Sequence, residues 1–312
     1  MAEATLHLPG AVLRSARPPR AGTWAEAFAG WSLAAPAIAL MWLMLLGPVV
    51  VVVILSLTDW TFGAPAFQWI GLDNYVALSS DRVFWTSLKN TLAYVAFTVP
   101  LSVFGGLVLA LLVESGTSLR GLYRTLLFLP VTSTLIAMAL VFQFAFHPTV
   151  GLVNQAFSAM GLPTTDWLKN PDTALYALGV IGVWQAVGLN MVLFLAGLKA
   201  IPRDLHEAVS VDGADSAWER FRRVTWPMLG PSLLFVVTIT AIRALQVFDT
   251  VQVLTDGGPN KATSVLLHQM YQEGFSFLRT AYAAALTCVF LGLVLLLTWL
   301  QTRLMEKNTH YG

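Results

Sequence analysis

The sequence predicts an all-α, polytopic membrane protein with six transmembrane helices. Three observations predict it. Of its 312 residues 56% are hydrophobic and only 11% are charged, and mean hydropathy is +0.68, whereas soluble domains carry about 25% charged residues. Six apolar runs are long enough to cross a bilayer, which takes about 20 residues as a helix. Lysine and arginine are also gathered into alternate loops.

The runs are 31–57, 90–113, 125–146, 173–198, 231–254 and 280–302. Only the fifth carries charge, at Arg243 and Asp249. Six spans put both termini on one side of the membrane. On that side lie Arg14, Arg17, Arg20, Arg120, Arg124, Lys199, Arg203, Arg220, Arg222, Arg223, Arg303 and Lys307. The other side has Arg82, Lys89, Lys169, Lys261 and Arg279. The positive-inside rule therefore predicts cytoplasmic termini.

The segment 1–30 reads as a cytoplasmic tail leading into a retained first helix, because the apolar run that follows exceeds the core of a cleavable signal. Residues 31–307 read as one transmembrane domain and 308–312 as a short tail. The single cysteine, Cys288, lies in an apolar run and can form no disulfide within the chain. A net charge of +1 predicts no nucleic-acid partner, and membrane lipid is the expected surroundings.

The segment 201–231 concentrates charge between two apolar runs. Its pattern predicts two short helices around a turn. Pro202 suits a first helical position, and Leu205, Ala208 and Val209 share an apolar face. Asp212-Gly213 marks the turn, and Ser216-x-x-Glu219 matches a capping box. Trp218, Phe221 and Val224 form a second apolar stripe.

Glu207-Ala208-Val209-Ser210-Val211-Asp212-Gly213-Ala214, with Pro227 thirteen residues further on, resembles the cytoplasmic "EAA" loop of the inner-membrane permease subunits of binding-protein-dependent ABC importers. Val209 and Trp226 depart from the usual Ala and Leu, and both remain apolar. Three further segments are similar to carbohydrate-type permeases: Trp69-Ile-Gly-Leu-Asp-Asn-Tyr75, Arg124-Thr-Leu-Leu-Phe-Leu-Pro130, and Leu254-Thr-Asp-Gly-Gly-Pro259 with the sequence after it. The resemblance implies a coupling helix that docks on an ATPase subunit, with Glu207, Ala208, Asp212, Gly213, Ala214, Trp218 and Phe221 as its ATPase-coupling residues. It also implies a folded extracytoplasmic cap before the second span. The implied partners are a second permease subunit, two ATPase subunits carrying ATP and Mg, and an extracytoplasmic solute-binding protein.

No chemistry is expected in the chain itself. It lacks the G-x-x-x-x-G-K-[ST] phosphate loop, so no cofactor is expected on it. His206-Glu207 begins a zinc motif that Ser210 fails to complete, and no histidines pair at metal-ligand spacing. No catalytic nucleophile–base pattern stands out. The intramembrane polar residues are informative because charge inside a span is costly and faces a cavity or a partner. Arg243, Gln246 and Thr250, at i, i+3 and i+7, are expected on one face of a fifth helix, with Thr240 at one edge and Asp249 beyond the other. These five are the substrate-path candidates; the alternative for Arg243 is snorkelling to an interface or a structural pairing with an acidic or carbonyl group. Gln143, Gln185 and Asn190 read as interhelical hydrogen-bonding residues. The alternative function is a secondary transporter driven by an ion gradient, a reading that rests on Asp249 alone.

Overall fold

The structure is a computed structural model that describes residues 24–116, 119–211, 213 and 216–306. Asp212 and Ala214 of the predicted coupling loop lie outside the described residues. The chain divides into two units, 1–51 and 52–312.

The first unit is helical wherever it is described. Helix α1 (Trp24–Met41) passes through a widened π turn (Trp42–Leu46) into α2 (Gly47–Ser56). The span Ala27–Ser56 has no buried residue in its most apolar window. A helix that is apolar on all faces needs lipid around it. The π turn ends two residues before Pro48, and Gly47 N–H donates to Trp42 O, five residues back. Proline has no N–H and crowds the carbonyl four residues earlier, and widening the turn relieves this.

In the second unit the helices run α3 (Asp73–Ser80), α4 (Arg82–Ser115), α5 (Arg120–Thr132), α6 (Leu135–Ala145) and α7 (Leu152–Ala159). They continue as α8 (Ala174–Ala200), α9 (Arg203–Val211), α10 (Ala217–Arg220), α11 (Trp226–Met228) and α12 (Gly230–Leu245). The last are α13 (Asp249–Leu254), α14 (Leu266–Tyr271) and α15 (Thr280–Glu306). No strand occurs among the described residues; Thr58 and Trp69 form an isolated antiparallel bridge.

Five helical runs are long and apolar enough to span a membrane, and a bent pair, α5 with α6, makes a sixth if it is counted as one span. The break falls inside the third predicted span, 125–146, just after Pro130. The pair bends by 101°, and Ser133 N–H donates to Pro130 O. Pro130 offers no N–H to the helix. The Thr132 and Ser133 hydroxyls both donate to Leu129 O, at 2.9 and 3.2 Å, where the helical ladder stops.

The core is the α4–α8 pair, with α12 packed against both. Met191, Phe194 and Ile181 of α8 are fully buried with Val236 of α12 and Ala110 of α4. Small residues bring the helices together. A Cβ on Gly106 would lie 2.5 Å from that of Asn190, and one on Gly179 would lie 2.6 Å from the Phe97 ring. Close backbone approach replaces the hydrophobic drive that lipid does not supply.

At one end of the unit polar contacts lace the loops to these helices. Asp81 caps α4 by accepting from Val83 N–H at 2.7 Å and also accepts from Tyr282 OH at 2.7 Å. Asn90 Nδ2 donates to the carbonyls of Lys261 and Ser264, both at 2.9 Å, and Leu266 N–H donates to Thr91 Oγ1 at 2.9 Å. The cap implied before the second span takes the form of α3 and the Thr58–Trp69 bridge. Asn74 Nδ2 reaches the carbonyls of Ser56 and Thr58 at 2.9 and 2.8 Å, and Tyr75 OH lies 2.8 Å from Ser56 Oγ.

Candidate functional site

Two places bring the sequence candidates together. The first is a cavity of about 260 Å³ among α4, α8 and the α12–α13 junction. Thr240, Arg243, Gln246, Asp249 and Thr250 all line it. They do not share one continuous helix face. Helix α12 ends at Leu245, residues 246–248 leave the helical path, and α13 begins at Asp249. The expected i, i+3, i+7 alignment is corrected accordingly. Phe248, at φ −145° and ψ −56°, turns the chain, and α13 carries Asp249 in its first turn, where a carboxylate is favoured.

Thr240 and Thr250 are buried, while Arg243, Gln246 and Asp249 stay exposed on the open side. The Thr240 hydroxyl donates to Asn190 Oδ1 at 2.9 Å. Asn190 is thus an interhelical bonding residue and also part of the lining. Asn190 Nδ2, Thr98 Oγ1 and Thr250 Oγ1 are buried without hydrogen-bond partners. Buried polar groups are normally paired, and these three unpaired atoms belong to residues that line the cavity. Arg243 forms no ion pair among the described residues; the two permanent ones found there involve Asp166 and Glu273. The structural pairing considered for it is therefore not seen.

Sequence reasoning passed over Tyr94 and Thr98 of α4, which also line the cavity. A signal was present: Thr91, Tyr94, Thr98 and Ser102 repeat at helical spacing, and all four are buried. Gln185 lines the cavity, whereas Gln143 is exposed on α6 and away from it.

The second place is the charged loop. Helix α9 contains Glu207 and Ala208, both exposed, and has no buried residue. Its apolar face carries Leu205, 38% exposed, and half-buried Val209. Gly213 has φ +83° with open space around its α-carbon. Glycine is required there by backbone conformation, not by crowding. Ser216 Oγ accepts from Glu219 N–H at 3.1 Å, which starts α10. Trp218, 68% exposed, stacks on Phe221 with ring centroids 5.6 Å apart. Phe221 in turn meets Trp226 at 6.0 Å. A π turn (Phe221–Thr225) again ends two residues before a proline, Pro227, and leads the loop into α12. Val224 is buried, so the loop is anchored by Val224 while Trp218 stays presented.

Comparison with known proteins identifies this arrangement. Residues 102–309 match the family model for the binding-protein-dependent transport system inner membrane component. The lactose transport system permease protein LacF of Rhizobium radiobacter is 36% identical, over 87% of this chain and 92% of that protein. The sulfoquinovosyl glycerol transport system permease protein SmoG of Agrobacterium fabrum is 35% identical, over 88% of this chain and 90% of that protein. A chain of a bacterial alginate ABC transporter, solved with an alginate pentasaccharide-bound periplasmic protein, shares the fold with a TM-score of 0.78. It is 22% identical, covering 91% of this chain and 96% of that one. The chain is a multi-pass membrane protein and belongs to the family of inner-membrane permease components of binding-protein-dependent ABC transport systems.

Proposed function

We propose that the chain is the membrane-spanning subunit of an ATP-driven importer for a sugar or sugar-like solute, acting beside a second permease subunit. The observation that carries this is the polar cavity in the apolar spans, with an unpaired arginine at its open side. Its hydroxyls and amides can trade hydrogen bonds with a hydroxyl-rich solute, and Arg243 adds a donor fork suited to a carboxylate, phosphate or sulfonate. A volume of about 260 Å³ lies just below the ~300–1,000 Å³ of ligand-sized sites. The relatives' solutes, lactose and sulfoquinovosyl glycerol, are both hydroxyl-rich. Family membership favours this reading over an ion-gradient transporter.

The loop 201–231 is the mechanical link. Helix α9 offers an apolar face with Glu207 beside it, and this surface fits a cleft on an ATPase subunit. ATP and Mg reside on two such subunits, and a solute-binding protein delivers solute from outside. Closure of the ATPase pair pushes α9, and α10 with its π turn carries that push into α12, whose far end borders the cavity. Twelve lysines and arginines on this side against five on the other favour a cytoplasmic loop and cytoplasmic termini.

The test is solute flux into proteoliposomes holding the chain with its co-purified ATPase and a solute-binding protein. Arg243→Ala and Gln246→Ala should each cut flux about tenfold or more, the loss of a hydrogen bond worth ~1.5 kcal/mol or more. Unchanged flux in both, at normal protein levels, would remove the cavity from the path. Flux that follows an imposed ion gradient without ATP would overturn the ATP-driven reading.

A further inference from the structure

A second cavity, of about 900 Å³, lies at the opposite end of the spans from the polar lacing, beside α9. Its lining includes Arg120, Lys199, Arg203, Arg220 and His206, with Glu114 as its one carboxylate among the described residues. No ion pair among the described residues involves any of these groups. Asp204, Glu207 and Glu219 sit on the neighbouring helices α9 and α10 but outside the lining. Four permanent cations around one cavity repel one another, and an anion at its centre would relieve this.

The walls indicate which anion. Leu111, Leu198, Ile201 and Phe221 supply an apolar side. Helix α4 ends at Ser115 and α8 at Ala200, so the cavity opens where two spans leave the hydrocarbon layer. On α4, Phe104, Val108 and Leu112 are exposed and lead from the bilayer toward it. A soluble anion has no use for that apolar approach, and a phospholipid uses both parts. Basic pockets between spans at the membrane surface are suited to anionic headgroups.

We infer that this cavity binds the phosphodiester headgroup of an anionic phospholipid, wedged between the ends of α4 and α8 and the loop helices α9 and α10. The lipid would then brace the loop that transmits the ATPase stroke. It leaves the solute cavity untouched and does not depend on which solute is carried.

The test uses the full chain with its co-purified subunits. Native mass spectrometry would compare retention of dioleoyl phosphatidylglycerol with dioleoyl phosphatidylcholine, with inorganic phosphate as a separate competitor. The wild type should prefer phosphatidylglycerol, and the preference should fall as salt rises. Lys199→Gln with Arg220→Gln should weaken the preference roughly thirtyfold, as expected for two near-surface cations. Lys199→Arg with Arg220→Lys should retain it. Equal retention of the two lipids by the wild type would overturn the inference, whether or not the neutral variant folds. So would an unchanged preference in a folded neutral variant. If inorganic phosphate displaces the lipid at equal concentration, the site is for a soluble anion. If the neutral variant sheds its ATPase subunits yet keeps the lipid preference, the cavity takes a protein carboxylate instead.

Discussion

Thr240 on α12 and Asn190 on α8 are joined by a 2.9 Å hydrogen bond in which the threonine hydroxyl donates to the amide oxygen. Both residues are buried, at 4% and 1% exposure. The bond uses the amide's acceptor, and its Nδ2 is buried without a partner. The bond joins two helices beside the cavity.

Thr240→Val keeps the shape and removes the donor. The Asn190 oxygen is then buried without a partner, at a cost of about 1–3 kcal/mol. Thermal unfolding in detergent should show the loss. Thr240→Ser should recover most of it, because the hydroxyl returns. Equal stability of wild type and Thr240→Val would show the bond to be incidental.

At Gly213 the limit is backbone conformation, since an added Cβ would meet no atom of the described residues within 4 Å beyond its chain neighbours. A β-branched residue resists the left-handed region, whereas asparagine tolerates it. Gly213→Val should reduce ATPase stimulation by the solute-binding protein severely, with the subunits still co-purifying. Gly213→Asn should keep most of it. Equal loss in both would point to a requirement for smallness at the partner surface.

Asp81 joins three elements: it caps α4, accepts from Tyr282 of α15, and accepts from Gln269 of α14 at 3.3 Å. Asp81→Ala should lower stability by about 1–2 kcal/mol, from a lost cap and a lost hydrogen bond to a half-buried tyrosine. A double-mutant cycle with Tyr282→Phe should show coupling of about 0.5–3 kcal/mol. Strict additivity would mean the two do not interact in solution.

His268 of α14 is fully buried, and its Nε2 lies 3.2 Å from Asp256 Oδ1. Burial lowers its pKa, and the hydrogen bond and charge of Asp256 only partly oppose this. The folded form therefore holds the neutral ring more firmly than the unfolded chain does. This contribution is fully present above the unfolded value of about 6.5 and is lost as pH falls through the folded value. Protonation would also place an N–H on Nδ1, which has no partner. Melting temperature should drop between about pH 7 and pH 5, and His268→Gln should flatten that dependence. A wild-type profile flat over this range would refute it.

Much of this was legible in the sequence, and the failures have physical causes. Hydropathy located the spans because lipid leaves few alternatives to a helix. The positive φ of Gly213 was readable from Asp212-Gly213. The break after Leu245 was not, because Gln246-Val247-Phe248 contains neither proline nor glycine. Its geometry is imposed by tertiary packing, with Leu245 held in one core cluster and Val251 in another. Tyr94 was missed because a lone tyrosine in an apolar run reads as a span residue, and only the fold sets Gly182 beside its hydroxyl.

The glycine contacts between α4 and α8 have a mechanical consequence. Gly106 of α4 abuts Asn190, and Gly179 and Gly182 of α8 abut Phe97 and Tyr94. Surfaces that mesh this closely cannot slide past each other without collision, so the two helices act as a single stiff strut. Movement during a transport cycle must then be taken up where the helical ladder is already interrupted, at the 101° elbow between α5 and α6 and at residues 246–248. The second unit thus pairs a strut with two interruptions of the helical path, and residues 246–248 form part of the wall of the polar cavity.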